Sequence, residues 1–476
     1  MKKAHFIGIC GVGMAGTARL LQLSGWEISG SDSGFYPPVS DYLELHHIPM
    51  VEGYRASNIP QDADLIVIGK NAKLVPEENE EVKAALASGK TVRSFPEVLE
   101  GLTAGTTNIV VAGSYGKSTC TALLALCLEH AGKDPSYLIG ALPLGTGELV
   151  RLGGGNTFVL EGDEYPSANW DSTSKFLYYN PHDVLLTSAE HDHVNVFPTH
   201  NDYLLPFKTL ISLIPPDGLL MACADEPSSL ALAHTHPGKT VLYGLKNPES
   251  EWSARDVSYG SETSFTLTHN GEPVTTLTTT LLGKHNIQNI VGVAALLLEK
   301  QLLSPDELQA AVTAFKGIRR RLDLKTEDSV IPVYEGFGSS YQKARSAIEA
   351  VKLHYPERRL VVIFEPHTFS WRNADAIHWY DDVFQGAGDV VIYEPASQGA
   401  TTHKQLTQEE IVERVRKSGI PVQPVHRAEE ALAYLSESLH SDDVILLLTS
   451  GDLGGLITSV PRLVELRFPK IAYATV

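Results

Sequence analysis

Cysteine is scarce, with four in 476 residues: Cys10, Cys120, Cys127 and Cys223. They have neither the spacing of paired metal ligands nor the density of a disulfide scaffold, which points to free thiols in a reducing compartment. Apolar runs long enough to span a bilayer are missing, and so is a basic amino-terminal segment followed by an apolar stretch, so a cytoplasmic protein is expected. Positive charge is also in deficit. Against 57 Asp and Glu there are 38 Lys and Arg, a formal charge of -19. That balance argues against nucleic acid or anionic membrane as a general partner, because both reward a basic face. An anionic ligand must therefore be held locally, by individual Arg or Lys side chains, a divalent cation or backbone N–H groups. Internal repeats and low-complexity tracts are absent too. What remains is a chain of 43% hydrophobic and 8% aromatic residues, globular in composition and long enough for about two to four domains.

The first third alternates strands and helices: "AHFIGI", a helical "TARLLQL", then "WEISGSD", "LIVIG" and "TVRSF". Such alternation predicts a parallel sheet covered by helices. The turn Gly11-Val12-Gly13-Met14-Ala15-Gly16 is a G-x-G-x-x-G, with Asp32 closing the second strand. This is the dinucleotide fingerprint in its proper context, and an NAD-dependent oxidoreductase is one reading of it. The glycines, however, only permit a pyrophosphate to approach a helix start, and a nucleotide-sugar diphosphate satisfies them equally well.

A second anion turn lies in "VVAGSYGKSTCTALLAL", Val110 to Leu126. A β-branched strand leads through Gly113-Ser114-Tyr115-Gly116 into Lys117, Ser118, Thr119 and a helical pattern. A lysine here reaches the outer phosphates of a nucleotide and the Ser118 hydroxyl binds Mg²⁺. Compared with G-x-x-x-x-G-K-[ST] the turn is short. Two clusters follow at strand ends, where ligand sites of α/β sheets collect. Glu161-Gly162-Asp163-Glu164-Tyr165 offers carboxylates for Mg²⁺, or is a solvated acidic turn. Glu190-His191-Asp192-His193 offers imidazoles as ligands, or is a surface turn. Farther on, Gly283-Lys284-His285-Asn286-Ile287-Gln288-Asn289 opens a helix with amides able to read an adenine edge, or simply to cap. Arg319-Arg320-Arg321 could clamp phosphate charge or be solvated. Thr-rich strands from about Val257 to Leu282 suggest an antiparallel part, hence a mixed central sheet. A third α/β segment follows, with strands "PVYEGF", "RLVVIFEP", "DVVIYEP" and "DVILLLTSG".

The order of "GICGVGMAG", "AGSYGKST", "EGDEY", "EHDH", "GKHNIQN" and "GIRRRLD" resembles the Mur ligase family of ATP-dependent amide-forming enzymes across essentially the whole chain. "GSDSGFYPPVSDYLE", "GDEYPSANWDSTSKFLYYNP" and "HVNVFP" are most similar to its peptide-recycling branch, with the alanine-adding branch next. The resemblance implies three α/β domains: a Rossmann-like UDP-N-acetylmuramate-binding domain, residues 1–104; a central P-loop ATP-binding domain with a mixed sheet, 105–325; and a Rossmann-like domain, 326–476, that closes over ATP and binds the amine acceptor. It implies that Gly11, Val12, Gly13, Met14, Gly16 and Asp32 hold the UDP-sugar. Gly113, Ser114, Tyr115, Gly116, Lys117, Ser118 and Thr119 would hold ATP, with His285, Asn286 and Asn289 on the adenine side and Arg321 at the domain junction. Ser118, Glu161 and His193 would bind Mg²⁺, and Lys117, Glu161 and His193 would be catalytic. The implied reaction joins UDP-N-acetylmuramate to an amino acid or peptide through an acyl phosphate, in cell-wall synthesis or peptidoglycan recycling.

The chain departs from the family pattern in several places. Tyr115 replaces a histidine, and Asn195 a common aspartate. Lys208 stands about where some members carry a carbamylated lysine, and an unmodified side chain is expected here. In "VYEGFGSSYQKA" Glu335 and Gly336 replace two aspartates, Ser339 and Ser340 two histidines, and Tyr341 a proline. Remodelling of the incoming-amine site, or a catalytically altered UDP-sugar- and ATP-binding homologue, is the expectation from this loop. A substitute acid at Glu335 is the alternative.

Overall fold

The computed structural model describes residues 1–192, 196–394 and 404–470. Two compact units are formed: Met1–Val257 with Phe265–Thr278 and Ile287–Phe315, and Ser258–Ser264 with Thr279–Asn286 and Lys316–Val476. The fold is mixed α/β, built on three predominantly parallel sheets.

In the first unit, strands β1 (Lys3–Ile7), β2 (Glu27–Asp32), β3 (Met50–Glu52), β4 (Leu65–Ile68) and β5 (Thr91–Arg93) form a sheet in the order β3-β2-β1-β4-β5, with every pair parallel. The chain builds outward from β1 on one side and then returns to its other side. The topological switch therefore lies between β1 and β4, and ligands of such sheets bind beyond the carboxyl ends there.

The second sheet of this unit holds β6 (Thr107–Ala112), β7 (Ser136–Leu138), β8 (Val150–Arg151), β9 (Thr157–Gly162), β10 (Asp183–Leu186), β11 (Leu219–Cys223), β12 (Lys239–Tyr243), β13 (Trp252–Ser258), β14 (Thr263–His269) and β15 (Glu272–Thr279). Its order is β15-β14-β13-β12-β11-β10-β6-β9-β7-β8. β6 runs parallel to both β9 and β10, and the β7–β8 pair is antiparallel. "NIVVA", "DVLL" and "LLMAC" are buried along their whole length, as strands covered by helices on both faces must be. Gly16, in the helix Val12–Leu23, has no room for a side chain: a Cβ there would lie 3.1 Å from Val150 and 3.4 Å from Leu138. That close approach joins the cores under the two sheets into one.

The second unit carries β16 (Arg321–Leu324), β17 (Val333–Phe337), β18 (Arg359–Phe364), β19 (Asp389–Tyr393), β20 (Val422–Val425) and β21 (Asp443–Thr449), in the order β16-β17-β21-β18-β19-β20. Only the β16–β17 pair is antiparallel. Alternate residues feed opposite cores: Val362, Phe364, Leu446 and Leu448 one, and Val361, Ile363, Ile445 and Leu447 the other. Among the described residues no helix is long and apolar enough to cross a membrane.

Candidate functional site

The glycine turn after β1 stands at the topological switch. Gly8, at φ +84°, would put a Cβ 2.8 Å from Leu74, and a Cβ on Gly13 would lie 2.8 Å from the Phe95 ring. Leu74 and Phe95 fill the space a Cβ would take at either position, so only glycine lets the turn pack this closely at the start of the helix Val12–Leu23. The Asp32 carboxylate accepts from Cys10 N at 2.9 Å, Ser33 N at 2.7 Å and Tyr54 Oη at 3.0 Å. It thus braces the turn from within. Burial, then the Asp32 charge, push the Cys10 thiol up to about 12.

The second turn follows β6. Its shortness is accommodated by Gly113 and Gly116, at φ +144° and +81°. A Cβ on Gly113 would lie 2.8 Å from Ser188 N, and one on Gly116 2.7 Å from Asn289 Oδ1. The turn is tied to the end of β10: Thr187 Oγ1 donates to Tyr115 O at 2.5 Å and Tyr115 N to Ser188 Oγ at 3.0 Å. Lys117 begins the following helix. Its ammonium meets Glu164 Oε2 at 2.8 Å, and Glu164 Oε1 accepts from Tyr203 Oη at 3.1 Å. Burial opposes the Lys117 charge, but the carboxylates of Glu164 and Asp163 outweigh it and hold its pKa above the ordinary lysine value. Ser118 Oγ donates to Glu161 Oε1 at 2.8 Å, and Gly140 N to Glu161 Oε2 at 2.6 Å. The register that sets Val111 opposite Glu161 delivers that carboxylate beside the turn.

Asp163 pairs with Lys175 at 2.6 Å. Burial pushes the Asp163 carboxyl up, while Lys175 and Lys117 pull it further down, below the usual aspartate value. The first turn opens on a cavity of about 460 Å³, lined by Gly8, Gly11, Val12, Gly13, Met14 and Asp32 on one side and by Lys117, Gly140, Glu161, Asp163 and Lys175 on the other, so that the second turn reaches it through Lys117. Lys70, Asn71 and Leu74 from the carboxyl end of β4 line it as well. Gly16 lies off this lining and serves helix packing. Lys70 and Lys175 escaped the sequence reading, although a lysine directly after "LIVIG", beside the switch point, was a usable signal.

Ser114 Oγ donates to Glu190 O at 2.5 Å and lies 2.8 Å from Tyr203 Oη. Thr119 is buried in the first helical turn. Tyr115 is 38% exposed, its phenol pushed up to about 12 by burial and then by Glu190 and Asp192. His191 contacts Phe197 O at 2.8 Å. His193 and Asn195 lie outside the described residues. Lys208 is exposed on the helix His200–Ser212. Asn289 is buried beside Gly116.

In the second unit, Asn286 Nδ2 donates to Leu282 O at 2.8 Å. Desolvation, then the Arg321 charge, hold His285 below the ordinary histidine pKa. The arginine run is divided. Arg319 and Arg321 are exposed, whereas Arg320, at φ +63°, turns in to Glu335 Oε1 at 3.1 Å and Gly451 O at 2.6 Å. Glu335 is 3% exposed, sits in β17 rather than a loop, and also meets Lys325 at 2.9 Å. A substitute acid at Glu335 would have to leave these two cations, which hold the carboxylate inside the sheet.

The Mur ligase family catalytic-domain pattern matches residues 3–107 and the Mur ligase middle-domain pattern residues 111–297. A UDP-N-acetylmuramate–L-alanine ligase of Roseiflexus sp. is 31% identical over 96% of this chain and 99% of its own. The murein peptide ligase of Psychrobacter arcticus superposes with a TM-score of 0.66 at 25% identity, covering 97% of this chain and 98% of that one. The UDP-N-acetylmuramate–alanine ligase of Thermotoga maritima shares the fold at TM-score 0.79 and 22% identity, covering 98% and 99%. With two glycine turns at strand ends and these relatives along its length, the chain belongs to the Mur ligase family and is an ATP-dependent ligase of the amide-forming type.

Proposed function

We propose that this ligase joins the lactyl carboxylate of UDP-N-acetylmuramate to the amine of an amino acid or peptide. The observation that carries the reading is the shared cavity, in which the helix start at Gly11–Gly13 and the side chains of Lys117 and Glu161 face one space. A sugar diphosphate fits the first cradle, and a phosphoryl donor fits the second. The engagement of Asp32 by Cys10 N, Ser33 N and Tyr54 Oη, donors from three connections of the sheet, favours a sugar nucleotide over a nicotinamide dinucleotide, whose ribose would call on that carboxylate.

In this reading Gly11, Val12, Gly13, Met14 and Asp32 shape the sugar-nucleotide cradle, with Gly16 holding its helix down. Gly113 to Thr119 hold ATP, and His285, Asn286, Asn289 and Arg321 serve its nucleoside and junction side. The oxygen donors of Ser118 and Glu161, among several carboxylates, suit Mg²⁺, and His193 would add one nitrogen ligand. Bound there, Mg²⁺ supplies charge neutralisation on the phosphates. Lys117, released from Glu164, spreads the charge on the transferring phosphoryl group. The lactyl carboxylate attacks the γ-phosphorus and ADP leaves. The amine then attacks the acyl phosphate carbonyl, and phosphate departs as the amide forms. Domain boundaries at 104/105 and 325/326 are part of this proposal.

A phosphate-release assay with UDP-N-acetylmuramate, ATP, Mg²⁺ and either L-alanine or L-alanyl-γ-D-glutamyl-diaminopimelate tests it. Release dependent on the sugar nucleotide and one amine is expected. Tight NAD(P) binding without UDP-sugar binding would refute it.

A further inference from the structure

Three lysines line the cavity, and two are already spoken for: Lys117 by Glu164 and Lys175 by Asp163. Lys70 is different. Among the described residues its ammonium makes no hydrogen bond and no ion pair. Its near neighbour is the Tyr165 ring, with Nζ 5.9 Å from the centroid, and Lys175 lies 5.7 Å from the same centroid. Both ammonium groups of these cavity-lining lysines thus lie near one aromatic ring. Asp163 and Asp171 act on Lys70 only through space, and burial followed by the Lys175 charge holds it below the ordinary lysine pKa. Like charges left together in a partly enclosed space are stabilised by an anion between or beside them.

The ledge carrying Lys70 is fixed in place. Gly69 N donates to Ile7 O at 2.9 Å, and Leu74 is 1% exposed in a small core with Ile7, Ile66 and Val82. From the β9–β10 connection, Asn169 Nδ2 reaches across to Asn71 O at 2.9 Å and Leu74 O at 2.7 Å. The backbone that presents Lys70 is thus ordered before any ligand arrives, and only the side chain loses freedom on binding.

We propose that Lys70 is a ligand for an anionic group of the sugar nucleotide, a phosphate or the lactyl carboxylate, and sets affinity for that substrate. The proposal rests on the function inferred above and deepens it at the same cavity. Asn169 is a positioning residue for this ledge.

The test is calorimetric titration of the full chain and its Lys70→Met and Lys70→Arg variants with UDP-N-acetylmuramate and with UDP-N-acetylglucosamine, which lacks the lactyl carboxylate. Lys70→Met is expected to bind UDP-N-acetylmuramate about tenfold or more weakly, with partial recovery in Lys70→Arg and a wild-type melting temperature. A matching loss for UDP-N-acetylglucosamine identifies a phosphate; a loss confined to UDP-N-acetylmuramate identifies the carboxylate. Unchanged affinity of Lys70→Met for both, with wild-type protein binding normally, overturns the proposal alone. Wild-type protein that binds neither sugar nucleotide overturns the function reading and this proposal with it.

Discussion

Lys117 and Glu164 stand 2.8 Å apart as an ion pair whose carboxylate is wholly enclosed. In the proposed function this lysine must leave Glu164 to reach the phosphates. Lys117→Ala is expected to lower ATP-dependent product formation by at least about a hundredfold, while UDP-sugar binding at the other turn persists. It also leaves Glu164 without its cation, at a cost of about 3–5 kcal/mol. Adding Glu164→Gln to Lys117→Ala should recover much of the lost thermal stability and none of the turnover. Recovery of turnover would show that Lys117 serves the fold only.

Gly113 and Gly116 make a second prediction. Each has a positive φ and a neighbour where a side chain would begin, the Ser188 backbone for Gly113 and Asn289 for Gly116. Gly113→Ala must displace main chain, whereas Gly116→Ala need only push an amide. Gly113→Ala should therefore be the worse of the two in ATP turnover and in melting temperature, beyond the roughly 1–2 kcal/mol of left-handed strain expected at Gly116. The reverse order would place the rigid contact at Asn289.

Glu335 supplies the third. With Arg320 and Lys325 on either oxygen and Asp323 nearby, it works as the anchor of the β16–β17 pair. Burial raises the Asp323 carboxyl, Lys325 lowers it, and Glu335 adds to the rise. Glu335→Ala should lower the melting temperature, by about 3–5 kcal/mol in stability, with turnover per folded molecule changed far less. Gly336→Asp cannot place an acid in this strand without cost, since a Cβ there lies 2.9 Å from Leu448 Cδ2. Overpacking of about 1–3 kcal/mol is expected. A large fall in turnover at unchanged stability in Glu335→Ala would reinstate a catalytic role.

The two glycine turns, the place of the acidic cluster at the end of β9 and the α/β alternation were legible because each depends on local spacing. The Lys117–Glu164 pair was not: both residues stood in the sequence as site candidates, but their meeting depends on Ser114, Tyr203 and the β6–β9 register. Lys70 was missed for a similar reason, since the switch point gives meaning to a lone lysine only once β1 and β4 are known to be neighbours. The arginine run misled in another way. Composition treats three arginines alike, whereas a left-handed backbone at Arg320 sends one of them into the sheet.

His354 gives the last prediction, a dependence on pH within the second unit. Its Nε2 accepts from Gly283 N at 2.9 Å and its Nδ1 lies 2.8 Å from Gly260 O. Only the neutral ring with its proton on Nδ1 satisfies both partners. Burial lowers its pKa from 6.5, opposed by the Gly260 carbonyl. A lowered histidine stabilises the fold fully above the unfolded value and loses that contribution as pH falls, because the unfolded chain takes up the proton first. Below about pH 6.5 the contribution should therefore decline, by at most about 1.4 kcal/mol per pH unit. Melting temperatures of wild type and His354→Gln measured from pH 8 to pH 5 should converge as the solution is acidified, with wild type the more stable at the upper end. Parallel curves would mean that protonation of His354 leaves the Gly283 and Gly260 contacts intact.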